Sequence, residues 1–196
     1  MSTAGRRGRR PGNPETRTAI LDAAREAFAA SGFRGTTIRG VASAAGVDPA
    51  LVHHYFGSKD DLFVASLRLP VDPRERLAPA LVGGPDGAAE RLLRVFLSVW
   101  DDPANRLPLL AVVRGMFDPA GHRLLTEGFL PAVVLPIGRA LGVDEPERRM
   151  PVVASQLIGL IMARYVLELE PIASMAEEEI IRVYAPTIQR YLTGDI

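Results

Sequence analysis

The sequence predicts an all-α protein, and three observations carry that prediction. Apolar residues recur at spacings of three and four in one segment after another. The first segments open on capping residues or a proline and close on glycine. No stretch alternates polar and apolar residues for long enough to make a strand.

The first helix is expected over residues 14–31. Asn13 supplies an N-cap, Pro14 the first helical position and Glu15 an acidic first turn. Ile20, Leu21, Ala24, Ala27 and Phe28 form its apolar stripe, and Gly32 before Phe33 reads as a left-handed stop with its hydrophobic contact. Thr37 caps a second helix with Ile38, Val41, Ala42 and Ala45 on one face, ended by Gly46. Asp48 and Pro49 start a third, whose buried pair is Val52 and Phe56, and Gly57 stops it. Ser58 and Asp61 make a capping box for a fourth, which buries Leu62, Phe63 and Leu67 and ends by Pro70.

The third helix, Pro49 to Phe56, spans only about 12 Å and is too short to be stable alone. A short helix presented after a glycine-containing turn, with small Ala42 and Ala45 at the packing face, has the proportions of a helix-turn-helix over about residues 37–56. In such a unit the second helix enters the DNA major groove. Charge agrees: residues 1–60 hold nine Lys plus Arg against five Asp plus Glu, whereas residues 61–196 hold 14 against 18. That segregation within a chain of zero net charge suggests an anionic partner for the N-terminal part. The arm Gly5-Arg6-Arg7-Gly8-Arg9-Arg10 is expected to be disordered when free, and either follows phosphates or a minor groove or simply solubilises the chain.

Composition removes other classes. Apolar residues make up 47% of the chain, so it folds. There is no Cys, hence no disulfide framework or thiolate site, which suits a cytoplasmic location. Leu157 to Ala163 is the longest apolar run of the late helices and is too short to span a bilayer, so no membrane partner is expected. His53 and His54 are adjacent and diverge by about 100° on a helix, so they do not chelate a metal together. No metal and no cofactor is expected. No GxSxG, P-loop, GxGxxG or HExxH motif is present, and the chain is expected not to be an enzyme.

The stretch TTIRGVASAAGVDPALVHHYFGSKDDLF, Thr36 to Phe63, resembles the N-terminal domain of the TetR (tetracycline repressor) family of bacterial transcriptional regulators. The resemblance covers about residues 14–68. It implies a homodimer with a helix-turn-helix DNA-binding domain and a larger helical domain that binds an effector and dimerises. It places Thr37 at a phosphate and Arg39 at a phosphate or base edge. Pro49, Ala50 and Leu51 fall at the exposed start of the recognition helix, His54 and Tyr55 flank it, and Lys59 holds a phosphate. His53 stands where the family usually has Tyr, a departure at that contact. Pro49, Ala50 and Leu51 offer no side-chain hydrogen bonds, so Arg39 is the candidate for reading guanine. Tyr55 is equally readable as a core residue. Lys59 is the only lysine among 23 basic residues.

Beyond Pro70 the chain divides into a connector over residues 70–87, with at most one short helix, and helices at about 88–101, 106–117, 119–127, 129–141, 145–168 and 176–192. The expected domains are thus a basic arm (1–13), a DNA-binding domain (14–69) and an effector-binding and dimerisation domain (70–196). Pro131 and Pro136 are expected to break or kink their segment. Trp100, Arg114, Met116, Phe117, His122, Gln156, Met162 and Tyr165 are candidates for a pocket with a hydrophobic effector. Val152, Ser155, Gly159 and Ala163 are candidates for the dimer interface, with an ordinary core helix as the alternative. The function expected is a ligand-responsive repressor that binds a pseudo-palindromic operator as a dimer. The alternatives are a regulator without an effector and a small-molecule-binding protein or enzyme.

Overall fold

The computed structural model describes residues 14–196, all helices, turns and loops, with no β-strand among them. The cap expected at Asn13 and the basic arm lie outside the described residues.

Helix α1 (Pro14–Gly35) runs past the expected stop, but Gly32 has φ 68 and ψ 176, so helical geometry is interrupted where the sequence places the break. Thr36 closes the kink by donating from Oγ1 to the Gly32 carbonyl at 2.8 Å. Helix α2 (Ile38–Ala44) is capped by Thr37, α3 (Pro49–Phe56) by Asp48, and α4 (Lys59–Ser66) by the Ser58–Asp61 capping box. The turn between α2 and α3 needs a left-handed residue, supplied by Gly46 at φ 65. It is closed by the Val47 amide donating to the Ala42 carbonyl at 2.9 Å.

Phe28, Phe33 and Phe63 lock α1 to α4. Phe63 stands edge-on to Phe28 at 5.1 Å and to Phe33 at 5.3 Å between ring centres. Burying rings such as Phe28 and Phe63 stabilises the fold by roughly 1.5–3 kcal/mol each.

The connector holds α5 (Pro73–Leu77) and one 3₁₀ turn (Ala78–Leu81), followed by α6 (Ala88–Trp100) and α7 (Pro103–Gly115). Helix α7 starts earlier than expected, because Asp102 caps it and Pro103 takes the first helical position. Next come α8 (Pro119–Arg123), a π-helical stretch (Leu124–Val134) and α9 (Leu135–Leu141). The expected break at Pro131 and Pro136 does not occur: these three segments form one continuous helix, Pro119–Leu141. In α geometry the Pro131 ring would crowd the carbonyl four residues back. The stretch instead takes the wider turns of a π-helix, as where the Leu135 amide donates to the Leu130 carbonyl.

Helix α10 (Pro146–Ile161) passes into a second π turn (Met162–Val166), and α11 (Glu177–Thr193) ends the chain. Arg149, 8% exposed, answers the carbonyls of Tyr191 and Gly194 at the end of α11, at 3.0 and 2.7 Å. Helix α11 packs on α6 and α10. The π stretch packs on α1 and α4, so one apolar core runs continuously from Ile20 to Leu192.

Among the described residues one helix, Pro119–Leu141, is long and apolar enough to cross a membrane by length and composition, with a mean hydropathy of 1.4. A third of its apolar window, 33%, is buried, and Leu125, Phe129, Leu130 and Val133 face a cavity described below.

Candidate DNA-binding face and effector cavity

On the helix-turn-helix, burial separates the residues that hold the unit together from those it presents. Val41, Ala42 and Val52 are wholly buried, and Phe56 nearly so. Thr37, Arg39, Ala50, His53 and His54 are exposed, and Pro49, Leu51, Tyr55 and Lys59 are half-buried. Arg39 has no hydrogen bond or ion pair with any described residue, which leaves its fork of donors available to a base edge or phosphate. Thr37 Oγ1 accepts the Gly40 amide at 3.0 Å, so its hydroxyl proton remains to be donated outward.

His53 is oriented by its own chain. Its Nδ1 lies 2.8 Å from the Gly57 carbonyl, which only accepts, so Nδ1 carries the proton. Its other ring nitrogen, Nε2, has no hydrogen-bond partner among the described residues.

His54 meets Tyr55 edge-on at 5.6 Å, and the half-buried Tyr55 packs against the core. Lys59 opens α4 with Nζ 4.4 Å from the centre of the Phe33 ring. Burial against that ring lowers its pKa from the ordinary lysine value, with Asp60 opposing the shift. Arg17 of α1 was not singled out in the sequence, yet its guanidinium lies over the Phe56 ring at 5.2 Å, beside the end of α3.

The base of this unit is tied to the connector by Arg74. It binds Asp61 at 2.6 Å and Asp72 at 2.9 Å. Burial tends to raise the Asp61 pKa, but hydrogen bonds from Ser58 and Arg74 outweigh it and lower the value; at Asp72 the Arg74 hydrogen bond is the main cause of lowering.

Behind α1 and α4 lies a cavity of about 630 Å³, walled by the connector, α6, α7, the π stretch and α10. That volume is in the range of small-molecule sites. Of the residues expected there, Trp100 and Met116 line it. Arg114, Phe117, His122, Gln156, Met162 and Tyr165 lie outside its lining. Phe117 is 74% exposed. Tyr165 lies outside the lining, where its ring stacks on Trp100 at 5.1 Å and its hydroxyl donates to Asp101 at 3.1 Å. Burial and the Asp101 charge raise its pKa well above the ordinary tyrosine range. Periodicity cannot distinguish the two faces of an apolar helix, which is why the wall residues Phe96 and Phe129 were missed. The polar wall residues Arg25 and Arg68 were missed because they come from α1 and the chain after α4, not from the larger region.

On the outer side of α10, Ser155 and Gly159 are exposed, while Val152 and Ala163 are half-buried. Ile158 beside them is 38% exposed, and Val183 of α11 is 51% exposed.

Comparison with known proteins gives this architecture a family. The model described as "Tetracyclin repressor-like, C-terminal domain" matches residues 86–192, and that described as "Bacterial regulatory proteins, tetR family" matches residues 20–66. A TetR-family regulator of known structure from Streptomyces coelicolor is 41% identical, with 95% of this chain and 99% of that one covered and a TM-score of 0.49. The multidrug binding protein EbrR, complexed with imidazole, has the same fold at 22% identity and a TM-score of 0.50, over 98% of this chain and 97% of that one. The HTH-type transcriptional regulator BetI from Rhizobium meliloti is 46% identical over 55 residues, or 28% of this chain and 27% of that protein. BetI from Brucella anthropi is 34% identical over 83 residues, or 42% of this chain and 43% of that one. Matches to these curated relatives therefore span less than half of their length. The family models settle the assignment: the chain belongs to the TetR family of bacterial transcriptional regulators, DNA-binding proteins of the repressor type.

Proposed function

We propose that this regulator is a ligand-responsive, cytoplasmic repressor whose dimer grips a pseudo-palindromic operator. One observation supports the ligand response above all: the π stretch walls the cavity with Leu125, Phe129 and Val133, and touches the DNA-binding helices with its other residues. An effector in the cavity therefore presses on the same element that supports α1 and α4. Its occupancy changes DNA affinity to the extent that it binds one arrangement better than the other.

Residues 14–69 form the DNA-binding unit in this reading and residues 70–196 the effector and dimer unit. Arg39 reads a base edge, Thr37, His53, His54 and Lys59 bind phosphates, and Pro49, Ala50 and Leu51 meet the groove floor through shape and thymine methyls. Val152, Ser155 and Gly159 of α10 and Ala163 of the π turn after it lie against a second copy.

Selection of bound duplexes from a random DNA library at near-physiological salt tests the reading. A recovered palindrome, with half-site centres about 34–36 Å apart or a multiple of that, is the expected result. Sequence-blind, salt-sensitive binding alone contradicts it. If the palindrome is recovered but no cavity ligand alters affinity for it, the regulator acts without an effector.

A further inference from the structure

The cavity wall changes character at one end. Arg25 of α1 and Arg68 just after α4 lie there, Arg76 of α5 also contributes, and the one carboxylate in the lining is Asp118. Arg25 donates from Nε to the Ser66 carbonyl at 3.1 Å and from Nη1 to Asp22 at 2.8 Å. Arg68 reaches the same Asp22 oxygen at 3.1 Å. One carboxylate thus serves two guanidinium groups. The remaining amino group of Arg25, Nη2, is shielded from solvent and meets no acceptor among the described residues. Arg76 is exposed and has no ion pair or hydrogen bond with any of them.

A desolvated donor with no acceptor gains most from an incoming anionic one. Two arginines sharing one acid leave this end positive, which disfavours a cation. The rest of the wall, including Leu69, Phe96, Trp100 and Val133, is apolar. Extending the effector reading above, on which it rests, we propose that the effector is an amphipathic carboxylate, its head on Arg25 and Arg68 and its apolar body along that wall.

The position of the head gives it leverage. Arg25 ties α1 to the last residue of α4, and Arg68 holds φ 52, a left-handed backbone that a residue with a Cβ rarely adopts. A carboxylate competing with Asp22 for these two side chains acts on the joint between the DNA-binding helices and the connector.

Trp100 is the only tryptophan and lies on the wall, so its fluorescence reports binding without a label. The full chain is titrated with decanoate, decanol and decyltrimethylammonium at neutral pH. Decanoate is expected to bind about tenfold or more tighter than decanol, the effect of one charge-assisted hydrogen bond, with the cation weakest. Arg25→Gln and Arg68→Gln should each remove that advantage and leave decanol binding unchanged, which also shows that the variant is folded. Arg68 is largely exposed, so its variant remains informative if the Arg25 change unfolds the chain. Decanol binding as tightly as decanoate overturns the head-group assignment and leaves the effector cavity standing. Preference for the cation overturns it too, in favour of Asp118. Binding of none of the three overturns this proposal together with the effector reading.

Discussion

Replacing Gly128 by alanine tests the contact between the π stretch and the DNA-binding helices. A Cβ built on Gly128 lies 2.3 Å from Cζ of Phe63 and 2.6 and 3.0 Å from its two Cε atoms. Ordinary carbon contacts are about 3.5–4.0 Å, so ring and helix must separate by more than an ångström. Phe63 cannot yield cheaply, because it is fully buried and wedged between Phe28 and Phe33. Overpacking of this kind costs about 1–3 kcal/mol, sometimes more. The better helix propensity of alanine offsets up to about 1 kcal/mol of that. A net loss of about 1–2 kcal/mol corresponds to a fall in Tm of roughly 2–8 °C for a chain of this size. Thermal denaturation followed by circular dichroism reads this directly, and DNA affinity should fall with it as α4 is displaced. A Gly128→Ala protein as stable as the parent, with unchanged DNA affinity, would refute the claim that this contact is tight.

Three further outcomes are expected. Arg39→Ala should relax sequence preference at one base pair, at a cost of about 1–3 kcal/mol, while Lys59→Ala should weaken all duplexes alike and flatten the salt dependence; equal loss of preference in both would sink the division of roles. His53 is exposed and its ring is held on the Gly57 carbonyl, so His53→Ala should weaken operator binding in a fluorescence-anisotropy titration and leave Tm unchanged. Asp61 and Asp72 have folded pKa values below their unfolded ones, so their pairing with Arg74 contributes in full above about pH 4 and is lost as pH falls through the folded values. Arg74→Met should therefore cost about 1 kcal/mol at neutral pH, kept small by the partial exposure of the carboxylates. The gap in Tm between variant and parent should close on acidification.

The helix-turn-helix was legible because local chemistry specifies it. Thr37, Asp48 and Ser58 cap as expected, and Gly46 and Gly57 have the positive φ that ends a short helix. At Gly32 the same reasoning found the interruption and missed the short helical turn beyond it, where Phe33 packs edge-on to Phe63 of α4. The larger region was less legible. Pro131 and Pro136 were expected to break or kink their segment, but the helix continues unbroken through both, in π geometry at Pro131, where it packs against α1 and α4. The cavity was harder still, because its wall is assembled from at least six segments, and the sequence signal for an inward-facing leucine is the same whether it meets another side chain or a cavity.

The π stretch also bears on how the proposed effector signal travels. Leu125, Phe129 and Val133 recur every four residues on the cavity side, while Glu127 and Gly128 meet Gly32 and Phe63. Arg123, just before it, donates to the Ala29 carbonyl at 3.2 Å. No compressible space separates Gly128 from Phe63, so a body that pushes on Phe129 moves α4 as well. A displacement of this segment is therefore felt on both of its faces at once. On this reasoning the cavity need not touch α3 to control it. It needs only to favour one position of the helix on which α1 and α4 rest.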